Sequence, residues 1–163
     1  VVGRDRPGLV SALSTRITEH GGNWLDSRMA NLAGQFAGLL LVQVPAERAN
    51  ALVAALQELE TQGLRLLIEH GDPPAATVNQ SMQLDLTGHD RPGIVRDISE
   101  TLARQSVSID DMQSRSFSAS FSGETMFEMK ATLRVPESVD QATLTSAVEA
   151  LATDLIVEIR GTT

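Results

Sequence analysis

Gly3-Arg4-Asp5-Arg6-Pro7-Gly8-Leu9-Val10 is echoed by Gly88-His89-Asp90-Arg91-Pro92-Gly93-Ile94-Val95 at a constant spacing of 85 residues. All positions are identical or conservatively exchanged except Arg4 against His89, so the chain carries two copies of one supersecondary unit. Outward from the motif the spacing persists. Leu9, Val10, Leu13 and Ile17 become Ile94, Val95, Ile98 and Leu102, a stripe on one face of an amphipathic helix. Farther on, Ser27-Arg28 aligns with Ser114-Arg115, Phe36 with Phe127, and Val44-Pro45 with Val135-Pro136. Four extra residues of the second copy then fall between Arg115 and Phe127, where the Ser-rich stretch reads as a polar hairpin. A second helical stripe, Leu52, Leu56 and Leu59, matches Leu144, Val148 and Leu151. Leu64 to Ile68 and Leu155 to Ile159 are short β-type runs that close each copy.

Each copy therefore reads as strand, helix, strand, strand, helix, strand. Met82 to Leu86 and Phe127 to Val135 alternate apolar and polar residues with period two, the mark of strands buried on one face only. The predicted fold class is α+β: two ferredoxin-like βαββαβ domains, each an antiparallel sheet with both helices on one face. The first copy shows only a stub of its opening strand, read as truncated, and the abrupt opening at Val1 suggests missing N-terminal sequence. The expected domains are residues 1–70 and 81–163, joined by a linker over 71–80 that Pro73 and Pro74 stiffen.

Composition bounds the function. Of 163 residues 42% are hydrophobic and 21% charged, which supports a folded core. The net charge is −8 and the 13 Lys and Arg residues form no stripe, which argues against direct nucleic-acid binding. Absence of cysteine removes disulfides, thiolate metal sites and thiol catalysis, and fits a cytoplasmic protein. The longest apolar runs, such as Leu39 to Val42, are far shorter than the roughly 20 residues of a membrane helix.

Asp-Arg-Pro-Gly lies between the first strand and first helix of each copy. Pro suits a first helical turn, Asp can accept the orphan N–H groups there, and Gly permits close approach to the backbone. Two readings stay open: a well-made turn, or a turn whose free N–H groups meet the carboxylate of a small ligand while Asp or a neighbour holds its ammonium. No catalytic motif or cofactor fingerprint is present. His20, His70 and His89 lack metal-ligand spacing, although His89 beside Asp90 stands where it can touch a carboxylate. Asp110 and Asp111 are not expected to form an acid/base pair, since adjacent strand residues point to opposite faces. Arg28 and Arg115 are read as ion-pair members and Trp24 as a core or interface residue.

Asp-Arg-Pro-Gly-hydrophobic-Val opening such a unit resembles the ACT domain, and two units in tandem resemble the glycine cleavage system transcriptional repressor family. Gly22-Asn23-Trp24 after the first helix strengthens the likeness, whereas Val107-Ser108-Ile109-Asp110 departs from it in the second copy. The resemblance implies a non-catalytic regulator without cofactor or metal. It would bind an amino acid, glycine being the candidate, at an interface between ACT domains paired within or between chains, and would act through a partner transcription factor. The implied ligand-binding residues are Asp5, Arg6, Gly8, Leu9 and Asn23, then Asp90, Arg91, Gly93 and Ile94. The alternative is a detached regulatory module of an amino-acid or one-carbon metabolic enzyme.

Overall fold

The computed structural model describes residues 1–71, 79–120 and 123–161, in two compact units, Val1–Pro73 and Pro74–Thr163. In the first unit the order is β1 (Val2–Arg4), α1 (Leu9–Glu19), β2 (Asn23–Leu32), β3 (Gln35–Gln43), α2 (Ala46–Gln57), a 3-10 turn (Glu58–Gln62) and β4 (Leu64–Arg65). The second runs β5 (Asn79–His89), α3 (Ile94–Arg104), β6 (Ser108–Ser118), β7 (Thr125–Pro136), α4 (Gln141–Glu149) and β8 (Ile156–Gly161). The sheets are ordered β2-β3-β1-β4 and β6-β7-β5-β8, antiparallel throughout, as the α+β reading requires.

Burial follows the two periods. Leu9, Leu13 and Ile17 are buried on α1, and Ile94, Ile98 and Leu102 on α3. Val10 and Val95, placed on the same stripes, are exposed instead, because one residue along a helix turns by about 100°. Along β7 Phe127, Met129, Ala131, Leu133 and Val135 are buried in strict alternation. On the opposite face Asp85 pairs with Lys130 and Arg160, and Arg115 pairs with Glu128 at 2.6 Å beneath a cation–π contact to Phe117. The corresponding face of the first unit carries Ala37, Leu39 and Leu41, and Leu39 is 76% exposed. Trp24 packs half-buried against the first unit's core.

Several sequence expectations need correction. Phe36 stands opposite Asn31, and Phe127 stands opposite Ser116. The 85-residue spacing thus holds through the whole of β2 and β6, and the entire length difference falls in the hairpin beyond them. Arg28 is equivalent to Gln113, opposite Leu39 and Lys130 respectively, and not to Arg115. The first hairpin closes in two residues, Ala33 and Gly34, both with positive φ as a type I′ turn demands. The second is longer, but Ser114 to Ser118 belong to β6, so less of the Ser-rich run is loop than expected; residues 121 and 122 lie outside the described residues.

Bulges at Leu25 and Asp110 obey the same spacing. The second adds a residue to β6, so the strand's alternation is broken there. Asp111 opposes outward-facing Thr132 while Asp110 pairs with outward-facing Arg134 at 3.1 Å; both carboxylates lie on the outer face, contrary to the opposite-face expectation. Asn79 and Gln80, assigned to the linker, are the first residues of β5, paired with Pro136 and Val135. The rest of the linker reading, over 72–78, lies outside the described residues. The closing run Leu64 to Ile68 forms a strand only at Leu64–Arg65, because β1 offers partners only at Val2 and Gly3.

Candidate functional site

The repeated motif builds the same backbone turn twice. Gly8 (φ 93°, ψ −2°) and Gly93 (φ 87°, ψ 1°) are the N-caps of α1 and α3, in the left-handed region that glycine occupies without strain. These torsions are those of the third residue of a type II turn, whose second residue is commonly Pro. Pro7 and Pro92 accordingly stand before the cap, not in the first helical turn as the sequence suggested. The Ile94 N–H closes this turn on the Arg91 carbonyl at 3.3 Å.

Neither helix receives a side-chain cap at its N-terminus, so Asp5 and Asp90 do not take the orphan N–H groups that the sequence assigned to them. The first intrahelical bonds run from Ala12 N–H to Gly8 O and from Asp97 N–H to Gly93 O. Residues before them, among them Leu9 in the first unit, therefore present uncapped amides at the positive end of a helix dipole.

The side chains around the two turns are wired differently. Asp5 accepts a hydrogen bond from the Asn31 side-chain amide, and its own N–H donates to Gly34 O, tying the turn to the β2–β3 hairpin. Arg6 donates to the Gln62 carbonyl at 3.0 Å. In the second unit Arg91 pairs with Asp97 at 2.7 Å, and Arg96 shares the same carboxylate. Those two hydrogen bonds, Arg91 first, hold the Asp97 carboxyl below the usual carboxylate range. Retention of Arg at both turns thus has a structural role in each copy. The Asp90 carboxylate makes no hydrogen bond or ion pair among the described residues, while its N–H donates to Thr125 O.

His89 joins two loops beside the second turn. Its N–H donates to Asp154 at 3.0 Å, its Nδ1 lies 2.9 Å from the same oxygen, and its Nε2 lies 3.3 Å from Glu124. Both ring nitrogens face acceptors, an arrangement that only the imidazolium, with two N–H donors, satisfies completely. The hydrogen bonds that His89 donates to Asp154 and then to Glu124 raise the His89 pKa, and those from the His89 backbone and ring lower that of Asp154. The histidine's contribution is complete below its unfolded value of about 6.5 and is lost as pH rises through its raised folded value; that of Asp154 is complete above about 4 and is lost on acidification. The melting-temperature difference between wild type and His89→Asn is therefore expected to be largest near pH 5–6 and to shrink through the alkaline side. A difference that is flat in pH would dismiss the pair.

Arg4 takes the place of His89 in the first unit, and Gly63, whose carbonyl lies against Gly3 as that of Asp154 lies against Gly88, takes the place of Asp154. A depression of about 240 Å³ opens there, lined by Gly3, Arg4, Gln35, Gly63 and Arg65 among others. Neither guanidinium has a hydrogen-bond or ion-pair partner among the described residues, so the depression beside the first turn is cationic. Asn23 is not brought to this place. It begins β2 after the C-terminal end of α1, and the helix's 11 residues separate it from Gly8 by about 16 Å. Within one unit an amino acid cannot touch both.

The sequence reading missed Asn31, Asp97, Asp154 and Glu124. Only Asp97 carried a local signal, as an acidic residue in the first turn of a helix. The others reach the turn across chain separations of 26, 65 and 35 residues. Among the described residues no three His, Asp or Glu side chains converge as metal ligands would, and no helix is long and apolar enough to cross a membrane.

Comparison with known proteins fits this geometry. The chain is 26% identical over 157 residues to the glycine cleavage system transcriptional repressors of Escherichia coli (strain K12) and Shigella flexneri, covering 94% of this chain and 82% of each relative. A solved structure of an unknown protein from Galdieria sulphuraria superposes with TM-score 0.83 at 26% identity, over 99% of this chain and 95% of that one. A candidate glycine cleavage system transcriptional repressor superposes with TM-score 0.73 at 20% identity, over 99% and 93%, which bears on the fold alone. The ACT domain model matches residues 1–69 and again 80–162, the two copies of the repeat, and the chain thus belongs to the ACT domain family as two copies in tandem.

Proposed function

We propose that the protein is a non-catalytic regulator that senses a small amino acid, with glycine the first candidate, and transmits its state to a transcription factor by protein contact. The observation that carries this reading is the uncapped, glycine-entered helix start that the chain builds twice. Amides aimed outward from a helix N-terminus suit a carboxylate. In the first unit Arg4 and Arg65, which have no hydrogen-bond or ion-pair partner among the described residues, add to that attraction. Asp5, Arg6, Gly8 and Leu9, with Asp90, Arg91, Gly93 and Ile94, are the proposed ligand-binding segments; Leu9 offers its own amide in the first turn, whereas the Ile94 N–H is held by Arg91 O and the second turn offers the helix amides that follow it. Arg6 and Arg91 hold the turns in shape, and Asn23 is kept only for a site completed by a second molecule. The relatives' names supply the transcriptional output, and the acidic balance supports acting through a protein. Regulation requires that the ligand bind one conformation better than another, since equal affinity for both shifts nothing.

A thermal-shift screen against the twenty amino acids tests this. A ligand at about 100 times its dissociation constant adds about 2.7 kcal/mol to the domain that holds it. The stabilisation should fall in an Arg4→Gln, Arg65→Gln double variant, whose surface substitutions leave the fold intact. If no amino acid shifts the melting temperature at millimolar concentration, the sensor reading is wrong.

A further inference from the structure

The turns of the two units share one backbone and differ in charge. Asp5 N–H donates to Gly34 O and Asp90 N–H to Thr125 O. Gly34 is thus equivalent to Thr125 and Ala33 to Glu124, just as Gly63 is equivalent to Asp154. In the second unit the His89 ring lies between two carboxylates, Asp154 at 2.9 Å and Glu124 at 3.3 Å. The first unit has the guanidinium of Arg4 in the place of the ring, and a hydrogen and a methyl in the places of the two acids. The exchange removes two negative charges from a position that keeps its cation.

A second cation is added beside it. Arg65 stands opposite Val2, which makes it the diagonal neighbour of Arg4 on the outer face of the sheet. Such neighbours lie about 7–8 Å apart, within reach of long side chains. In the second unit Ile156, opposite Thr87, holds that position. Two guanidinia with no anion between them repel, whereas Arg91, Arg115, Arg134 and Arg160 of the other unit are all ion-paired. Gln35, opposite Arg4, adds a neutral amide to the rim of the depression.

We propose that this depression binds a small dicarboxylate, whose two acid groups supply from outside what Asp154 and Glu124 supply within the second unit. Each guanidinium offers a planar set of N–H donors that fits a carboxylate. No acidic residue lines the depression, so an ammonium on the ligand would meet only positive charge, and the class is a dicarboxylic acid without an amino group. The site lies beside the helix start proposed for an amino acid and stands without that reading.

The test titrates the isotope-labelled full chain with succinate at constant ionic strength near neutral pH and follows the arginine Nε–H resonances by NMR. Those of Arg4 and Arg65 should shift together and saturate, with acetate weaker by about tenfold or more because it satisfies one guanidinium only. Arg4→Gln and Arg65→Gln should each weaken succinate by about tenfold. Arg28→Gln, which removes an exposed arginine elsewhere on the same sheet face, should leave the affinity unchanged. The backbone amide spectrum reports that each variant is folded. Equal affinity for succinate and acetate, or as large a loss in Arg28→Gln as in Arg4→Gln, would overturn the proposal by reducing the site to a general attraction of anions. Absence of any shift at Arg4 and Arg65 would overturn it as well. Stabilisation by an amino acid without succinate binding would keep the sensor reading and dismiss this one; succinate binding without that stabilisation would do the reverse.

Discussion

Leu133→Ala should lower the melting temperature of the second unit by on the order of 10–30 °C. Leu133 is 0% exposed, in the middle of β7, with β5 on one side and β6 on the other. Truncation there loses the transfer free energy of the removed carbons and leaves a cavity that a centrally paired strand cannot collapse, a cost of about 2–5 kcal/mol. For a domain of this size each kcal/mol moves the transition by about 4–8 °C. Ala also fits a strand less well than Leu does. The control is Leu39→Lys, which writes the residue of the equivalent β7 position, Lys130, onto β3. Leu39 is exposed on the outer face, so that change should stay within about 0.5 kcal/mol of wild type. Calorimetry of each variant against wild type is the measurement. A small effect at Leu133, or equal effects at the two leucines, would show that burial along β7 does not govern stability.

What the sequence disclosed, and what it withheld, divides along one physical line. Local periodicity was enough for the helices, the alternating strands and the repeat, because a side chain's face is set by its distance along the chain. Register was harder. Matching Ser27-Arg28 to Ser114-Arg115 by identity slid the alignment by two positions, whereas the backbone ladder keeps Arg28 level with Gln113. Identity of a surface pair carries little energy, and a strand shifted by two keeps its faces, so nothing in the pattern opposed the error. The bulge at Asp110 was invisible for a related reason: one extra residue in an exposed edge strand leaves no apolar side chain on the wrong face.

The turns show the same division. Pro and Gly were correctly taken as the start of a helix, but the capping rules placed Pro inside it and gave Asp the orphan amides. The left-handed glycine moves the helix start two residues past Pro and leaves the amides uncapped. Which side chains then brace the turn depends on the hairpin and the fourth strand, and therefore on tertiary packing. Asp5 with Asn31 and His89 with Asp154 could not have been paired from spacing alone.

The opening glycine of each motif leads to the second large effect. Gly3 and Gly88 are the buried residues of β1 and β5 next to the turn, and neither has a positive φ, so close packing and not torsion restricts them. A Cβ on Gly88 would stand 2.6 Å from Leu155 Cδ2 and 3.4 Å from the Asp154 carbonyl; on Gly3 it would stand 2.8 Å from the Gly63 carbonyl and 2.9 Å from Leu64 Cδ2. Gly88→Val should therefore destabilise the second unit by about 3 kcal/mol, since β8 is held to β5 by six paired residues and the strain must be taken up in the core. Gly3→Val meets backbone at an even less yielding place, but its opponent is a strand of two residues. The cheaper response there is detachment of Leu64–Arg65, which exposes Leu64 and appears as faster amide exchange at β4 with a smaller shift in melting. Equal melting shifts for the two variants would contradict this difference in anchoring. A Gly88→Val protein as stable as wild type would mean that Leu155 moves aside freely and that the glycine answers to the site rather than to the fold.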